Sequence, residues 1–443
     1  MWERVRSLWT ITDLRNKLLF TLGMLFVFRI LSNIPVPLTA DGQQRLLDLF
    51  AGRGDAALGQ LLGLLDAFSG GSLRRFSIVA LSIYPYITAT IVVQLLAPII
   101  PAWQNMLTEG DAGRRKFSSI TRLITVPLAF LQGIGQLSLF VQVGILDRSS
   151  FNLVGPDWLN TLAMLMTLTA GTMILVWIGE LITDYGIGNG TSIIIFGGIV
   201  STLPSAIQQE IVMVTTSGSS GSAIVNLVIA WLLGLLLIVG MVYLYLGQKR
   251  IPVRYPTKRQ VRKDMLIDAA RTTYLPMQVN SVGMVPLIFA SSTAIFPALL
   301  ARYLTGSSVE WLSSIALWIS TYLTNTKSWY YWLLYFVLVV AFTYFYAYVQ
   351  WQQQRLPEVL QKQGAVIPGQ RPGEGTGKYL LTILNRLTLA GALCLGIAAV
   401  LPLVIPIGGL DSTKLLIVVG VVLDTVRQLN VHMQMRNYKG LLS

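Results

Sequence analysis

WLNTLAMLMTLTAGTMILVWIGELITDYGIGNGTSIIIFGGIVSTLPSAIQQ, residues 158–209, decides the architecture. It holds two uncharged runs, 158–179 and 185–209, on either side of a short stretch carrying Glu180 and Asp184. Crossing a bilayer core takes about 20 largely apolar residues as a helix, because lipid offers the backbone no hydrogen-bond partner. Each run is long enough. The GIGNG string at 186–190 lacks the GxGxxG spacing and a preceding soluble strand, so it is a poor dinucleotide loop and reads as the turn that opens the second run.

The same pattern recurs along the chain. Uncharged intervals lie at 76–108, 123–146, 158–179, 185–209, 211–248, 272–301, 328–354 and 387–410, which are spans 2 to 9. Span 1 covers 18–34 and includes Arg29; span 10 begins near Lys414 and meets Asp424. The expected fold class is therefore an all-α polytopic membrane protein with ten transmembrane helices. No small-residue cleavage site follows the first apolar stretch, so no removable leader is expected.

Composition agrees. Of 443 residues, 53% are hydrophobic and 12% charged, whereas soluble globular chains carry about a quarter charged residues. An ordinary soluble enzyme is excluded. The net charge of +13 falls between the apolar runs, so it belongs to loops. Ten spans put both termini on one side, where 24 of the 33 Lys and Arg fall, against eight opposite and Arg29 within span 1. The positive-inside rule makes that side cytoplasmic.

Catalytic signals are missing. The single cysteine, Cys394, excludes an internal disulfide, and the single histidine, His432, excludes a site needing two imidazoles. Cys394 reads as a small buried residue in span 9, and His432 as a polar residue after span 10. No GxxxxGK[ST], HExxH or GxSxG string occurs. No cofactor and no metal are expected. The middles of spans 2 to 9 lack Asp and Glu, which weighs against ion-coupled transport. Arg29 and Asp424, near the ends of their spans, read as interfacial or paired.

Spans 2 and 7 stand apart. Span 2 carries Ser77, Ser82, Tyr84, Thr88, Thr90 and Gln94; span 7 carries Asn280, Ser281, Ser291, Ser292 and Thr293. Such residues in lipid are either helix-helix glue or the lining of a seam that opens. Pro85, Pro286 and Pro297 each remove a backbone donor and permit kinks, which suits both readings.

Several segments, in order, resemble the SecY family, the channel subunits of the Sec protein translocase. They are FRILSNIPVP (28–37), FSGGSLRRFSIVALSIYPYITATIVVQLL (68–96), EGDAGRRKFSSITR (109–122), GELITDYGIGNGTSIIIFGGIV (179–200), LPMQVNSVGMVPLIFASS (275–292), GAVIPGQRPGEGT (364–376) and LLIVVGVVLD (415–424). The resemblance implies two pseudo-symmetric five-helix halves around an hourglass pore, here 1–215 and 216–443, although no sequence repeat between them is evident. It implies a channel that passes unfolded preproteins across the membrane and releases apolar segments laterally into the bilayer. Such a channel is not an enzyme; ATP hydrolysis would be by a partner motor. The implied partners are SecE-like and SecG-like small subunits, a SecA-like motor ATPase, the ribosome, signal peptides, preproteins and membrane lipid. The implied location is the bacterial plasma (inner) membrane.

Residue roles follow from the resemblance. The pore ring falls on Ile83, Ile87, Ile195, Ile288 and Ile417, and Thr191 stands where the family often has a further ring isoleucine. Segment 57–76, too short to span and readable alone as an interfacial helix, becomes the plug, with Phe68, Ser69, Gly70, Gly71, Leu73 and Arg74 at its centre. Thr88, Gln94, Asn280 and Phe296 become the lateral gate. The basic cytoplasmic loops are 249–274 and 351–378. Residues 249–263 hold seven cations, more than orientation needs and suited to ribosomal RNA or an acidic motor surface. Arg250, Arg254, Lys258, Arg259, Arg262 and Lys263 are the expected contacts there, and Arg371, between Pro368 and Pro372, is the expected motor contact. Two other classes compete: a small-solute secondary transporter, which would need a polar midmembrane site, and a noncatalytic assembly scaffold.

Overall fold

The computed structural model describes residues 12–37, 40–50, 62–63, 66, 69–97, 99–108, 111–146, 158–216, 221–255, 272–304, 310–323, 328–404 and 412–440. Each of the ten expected spans falls on a helix. These are α1 (Thr12–Leu31), α3 (Tyr84–Leu96), α5 (Asp111–Gln142), α6 (Trp158–Tyr185), α7 (Gly190–Thr216), α8 (Gly221–Leu246), α9 (Val285–Leu304), α11 (Trp329–Gln354), α13 (Glu374–Val404) and α14 (Ser412–Gly440). Four shorter helices join them: α2 (Ala40–Phe50), α4 (Pro101–Thr108), α10 (Glu310–Tyr322) and α12 (Leu356–Lys362). Among the described residues, five stretches are long and apolar enough to cross a membrane by length and composition: Arg115–Val141, Trp158–Tyr185, Gly190–Gln208, Trp329–Lys362 and Glu374–Leu401. The count of ten is consistent with this arrangement.

The chain is apolar outside as well as inside. Leu131, Trp177, Leu235, Tyr243 and Ile397 are exposed on the outer helix faces, while Thr125, Thr169 and Thr343 are buried between helices. Those three hydroxyls donate to their own helix, at 2.7 Å to Thr121, 2.8 Å to Leu165 and 2.6 Å to Val339 carbonyls. This back-bonding satisfies a hydroxyl where water is absent. Arg122 of α5 pairs with Glu180 of α6 at 3.0 Å.

Spans 2 and 7 do not begin as helices. Span 2 is helical only over the 13 residues of α3, about 20 Å at 1.5 Å per residue, short of the roughly 30 Å apolar core. Residues 70–83 precede it as consecutive turns, with Phe76 and Ser82 at φ of 46° and 54°. Pro85 lies at the start of α3, where a missing N–H costs nothing; it begins the helix rather than kinking it. Pro286 does the same for α9, and only Pro297 lies inside that helix.

The interval assigned to span 7 begins with a strand instead. β1 (Gln248–Arg254) and β2 (Thr272–Gln278) pair antiparallel from Gln248↔Gln278 to Arg254↔Thr272. This small sheet departs from the all-α expectation and frames what was expected to be a plain basic loop. Ile251 and Val253 alternate inward and pack with Met277, Leu360, Ile367 and Leu380 into a separate apolar cluster.

Helices α1, α3, α5, α6 and α7 pack mainly among themselves, as do α8, α9, α11, α13 and α14. The principal contacts between the two sets are α3 with α9 and α7 with α14.

Candidate functional site

Ile83 and Ile87 flank the start of α3, and the Ile87 amide donates to the Ile83 carbonyl at 3.0 Å. Ile195 comes from α7, Ile288 from α9 and Ile417 from α14. All five are at most 8% exposed and belong to one apolar cluster that both helix sets build, together with Phe28, Ile178, Ile199 and Leu287. Four helices thus bring branched aliphatic side chains to one place. Thr191 is engaged elsewhere: its hydroxyl donates to Asn189 Oδ1 at 2.6 Å, and Asn189 also accepts from the Thr191 and Ser192 amides. The GIGNG string is therefore the capped entry to α7, as its glycines and asparagine suggest.

Of the expected plug residues, Phe68 lies outside the described residues. Ser69, Gly70, Gly71, Leu73 and Arg74 follow a helical turn and form a closed knot around Asp66. The Arg74 amide donates to Asp66 Oδ1 at 2.8 Å, the Gly71 amide to its carbonyl at 3.0 Å, and the Ser69 hydroxyl to that carbonyl at 3.0 Å. Burial pushes the Asp66 carboxyl above its ordinary range, opposed by the Arg74 amide and by the charges of Arg74 and Lys414. Leu73 packs with Phe76, Leu137, Phe140 and Leu165, on the α5 and α6 side. Arg74 stands 5.2 Å over the Phe50 ring.

At the seam between α3 and α9, the Tyr84 hydroxyl donates to the Ser292 carbonyl at 2.8 Å. Thr88 donates to the Tyr84 carbonyl at 3.0 Å and accepts from Gln132 of α5 at 3.3 Å. Gln94 is partly buried in α3. Asn280 is buried but turned onto its own loop: its Oδ1 accepts from the Gly283 amide at 3.1 Å and its Nδ2 donates to the Gly283 carbonyl at 3.3 Å. That pins the turn leading from β2 into α9. Phe296 lies in α9, one turn beyond Ser292; its side chain lies outside the described residues. Tyr84 and Ser292 belong to the polar sets that mark spans 2 and 7 in the sequence, whereas Gln132 of α5 was not singled out there.

Arg250 and Arg254 are exposed on β1, and Arg254 exchanges both backbone hydrogen bonds with Val366, at 2.9 and 2.8 Å. Lys258, Arg259, Arg262 and Lys263 lie outside the described residues. Arg371 is exposed, and its carbonyl accepts from the amide and hydroxyl of Thr376 at 3.0 and 2.9 Å, fixing the turn that enters α13. Cys394 is exposed, against expectation. It shares an outward apolar face with Leu393 and Ile397, where a thiol is as welcome as any small hydrophobe. The His432 side chain lies outside the described residues.

A multi-pass helical membrane protein, whose two helix sets share one apolar cluster, defines the class. A sequence model of the SecY family matches residues 77–426. The chain is 38% identical over 451 residues to "Protein translocase subunit SecY" of Mycobacterium bovis, covering 99% of both chains. It is 37% identical over 441 residues to the subunit of that name in Streptomyces scabiei, covering 97% of both. The chain belongs to the SecY family. Its fold resembles a solved protein-conducting channel at TM-score 0.64 and 18% identity, covering 94% of this chain and 91% of the other. A SecY structure concerned with the plug domain and the closed channel matches at 0.63, with 18% identity and the same coverage. The channel of a canine ribosome-channel complex from the endoplasmic reticulum matches at 0.62, with 17% identity and the same coverage.

Proposed function

We infer that this chain is the protein-conducting channel of a Sec translocon, passing unfolded preproteins across the membrane and releasing apolar segments laterally into the bilayer. The observation that carries this reading, beside family membership, is the apolar cluster containing Ile83, Ile87, Ile195, Ile288 and Ile417. A secondary transporter binds its solute through polar groups at midmembrane, whereas aliphatic side chains can fit around a chain of any sequence without gripping its polar groups. As a channel subunit it is not an enzyme, and the energy of transport comes from a SecA-like motor ATPase or from a translating ribosome.

The proposed working parts follow from this. Segment 57–76 is the plug, α3 and α9 are the lateral gate, and residues 1–215 and 216–443 are the two halves that part there. Arg371 and the basic residues 249–263 dock the motor or ribosome, with SecE-like and SecG-like subunits completing the complex. The bond pair between Arg254 and Val366 supports treating the two basic loops as one platform, and β2 joins that platform to α9 through the Asn280 turn. Both termini are cytoplasmic in a plasma membrane. Reconstitution in vesicles with SecE-like and SecA-like partners, ATP and a signal-bearing precursor tests the reading. ATP-dependent protection of the precursor inside the vesicles is expected; gradient-driven uptake of a small solute by the chain alone would overturn it.

A further inference from the structure

Arg29 lies in the last turn of α1, and a cation within a span has to be met by protein. Its partners lie in two other parts of the chain. Arg29 Nη1 donates to the Gly70 carbonyl at 2.9 Å and to Ser201 Oγ of α7 at 3.3 Å. Ser201 Oγ is itself 3.3 Å from the Gly70 carbonyl and donates to the Gly198 carbonyl at 2.7 Å. The guanidinium therefore ties α1, α7 and the segment after Ser69 together at one backbone oxygen.

The backbones meet at the same point. Gly70 has φ +68°, and a Cβ there would stand 2.8 Å from Gly198 Cα and 3.3 Å from Phe28 Cζ. Only glycine allows both that conformation and that approach. Gly70 thus rests directly on the α7 backbone, with Arg29 holding its carbonyl from the side. A hydrogen bond from a charged donor is stronger than a neutral one, and this one joins residues 41 positions apart.

We propose that Arg29 is the latch of the plug: a positioning residue that holds Gly70 against Gly198 in the closed channel and must release it before the plug can leave. The proposal rests on the plugged-channel reading above. Arg29 takes no part in moving the chain; it sets how often the resting channel unseats its plug.

The test uses the full chain with its partner subunits in vesicles, with Cys394→Ser and Ser72→Cys, because Ser72 is buried in the seated segment. A membrane-impermeant maleimide added from the side opposite the motor reports unseating. Arg29→Met should raise the labelling rate about tenfold or more, the usual consequence of losing a charge-assisted hydrogen bond, and Arg29→Lys should fall between. Gly70→Ala, which leaves the charge alone and would bring a Cβ to 2.8 Å from Gly198 Cα, should raise it too. The double variant should label no faster than the product of the two single effects, because both release one contact. A labelling rate in Arg29→Met equal to that with Arg29, in a complex that still binds the motor, would overturn the latch. So would rapid labelling with Arg29 intact. Should Arg29→Met fail to assemble, Gly70→Ala decides: unchanged labelling there removes the seat on which the latch acts. The double change Ile83→Gly and Ile87→Gly separates the latch from the channel reading. Ion leak in that variant with no effect of Arg29→Met removes the latch alone, whereas background conductance in it removes the assignment of Ile83 and Ile87 to the closed pore as well.

Discussion

Helix α3 has two unlike neighbours. Against α5, inside one helix set, it packs extensively; against α9, in the other set, it makes far less contact. At the α9 side, among the described residues, the bond across the seam is one tyrosine hydroxyl on a carbonyl, Tyr84 to Ser292, and the neighbouring hydroxyl of Thr88 is turned to its own helix and to Gln132 on the α5 side. The difference teaches where the molecule can part. In lipid no hydrophobic force holds two helices together, so association rests on packing and hydrogen bonds. An interface with little of either is the weak joint. The α3 and α5 interface is the more extensive of the two, and the α3 and α9 interface is the proposed gate.

The strongest way to break this comparison is to make the weak joint permanent. Cysteines replacing Thr88 and Phe296, with Cys394→Ser, should form a disulfide on oxidation and stop translocation of signal-bearing precursors almost completely; reduction should restore it. A disulfide holds the two Cα atoms within about 7 Å, too near for a helix about 10 Å wide to pass. Full cross-linking with undiminished transport would place the exit elsewhere.

A second perturbation acts at a distance from the joint. Arg371→Glu should abolish motor-driven translocation, measured as protected precursor per unit time, while thermal stability stays within about 0.5 kcal/mol, as expected for exposed surface positions. Arg371 fixes its turn through its carbonyl, which the substitution retains. Unimpaired transport would remove the docking role.

The third concerns the waist that both sets share. Replacing Ile83 and Ile87 by Gly removes two buried aliphatic side chains and should produce a resting leak of small ions, seen as current across a planar bilayer, because a wider apolar neck wets. The leak should be smaller in effect on precursor transport than either change above. Background conductance would show that these residues do not line the closed pore.

Uncharged runs made the spans legible, because lipid forbids charge wherever it touches a helix. They could not separate helix from strand. Residues 272–278, TTYLPMQ, are as uncharged as the helix that follows, yet β1 claims them as a partner strand. Residues 76–83 were likewise taken into span 2, whereas the positive φ of Phe76 and Ser82 holds them in turns. The five isoleucines came from resemblance, since aliphatic residues at helical spacing occur throughout such a chain. What stayed hidden was every contact made to a backbone oxygen. Arg29 finds Gly70, and Tyr84 finds Ser292 across 208 positions, and a carbonyl acceptor leaves no trace in residue type. Cys394 faces outward for a related reason: its neighbours are apolar on every side, so nothing in the string marked which face was buried.

The smallest expected effect is also the finest test of the weak joint. Tyr84→Phe removes the hydroxyl and keeps the ring, so the packing of α3 against α9 is retained while the bond to Ser292 is lost. Interhelical hydrogen bonds in membranes are worth about 0.6 kcal/mol on average, which corresponds to a shift of about threefold in an opening equilibrium. A carbonyl freed in this way is already bonded within its helix, so little further cost attaches to it. Transport of a good precursor should hardly change, because signal binding supplies far more than this. A precursor with a weakened signal should be translocated up to about threefold faster, and the Thr88 and Phe296 cysteine pair should oxidise more slowly, since the two helices spend more time apart. The control is Thr88→Val, which removes a hydroxyl bonded away from the seam and should leave the weak-signal rate alone. If Thr88→Val raised that rate as much as Tyr84→Phe, the gate would be answering to general loss of polarity in α3, and the bond from Tyr84 to Ser292 would have no special part in holding it shut.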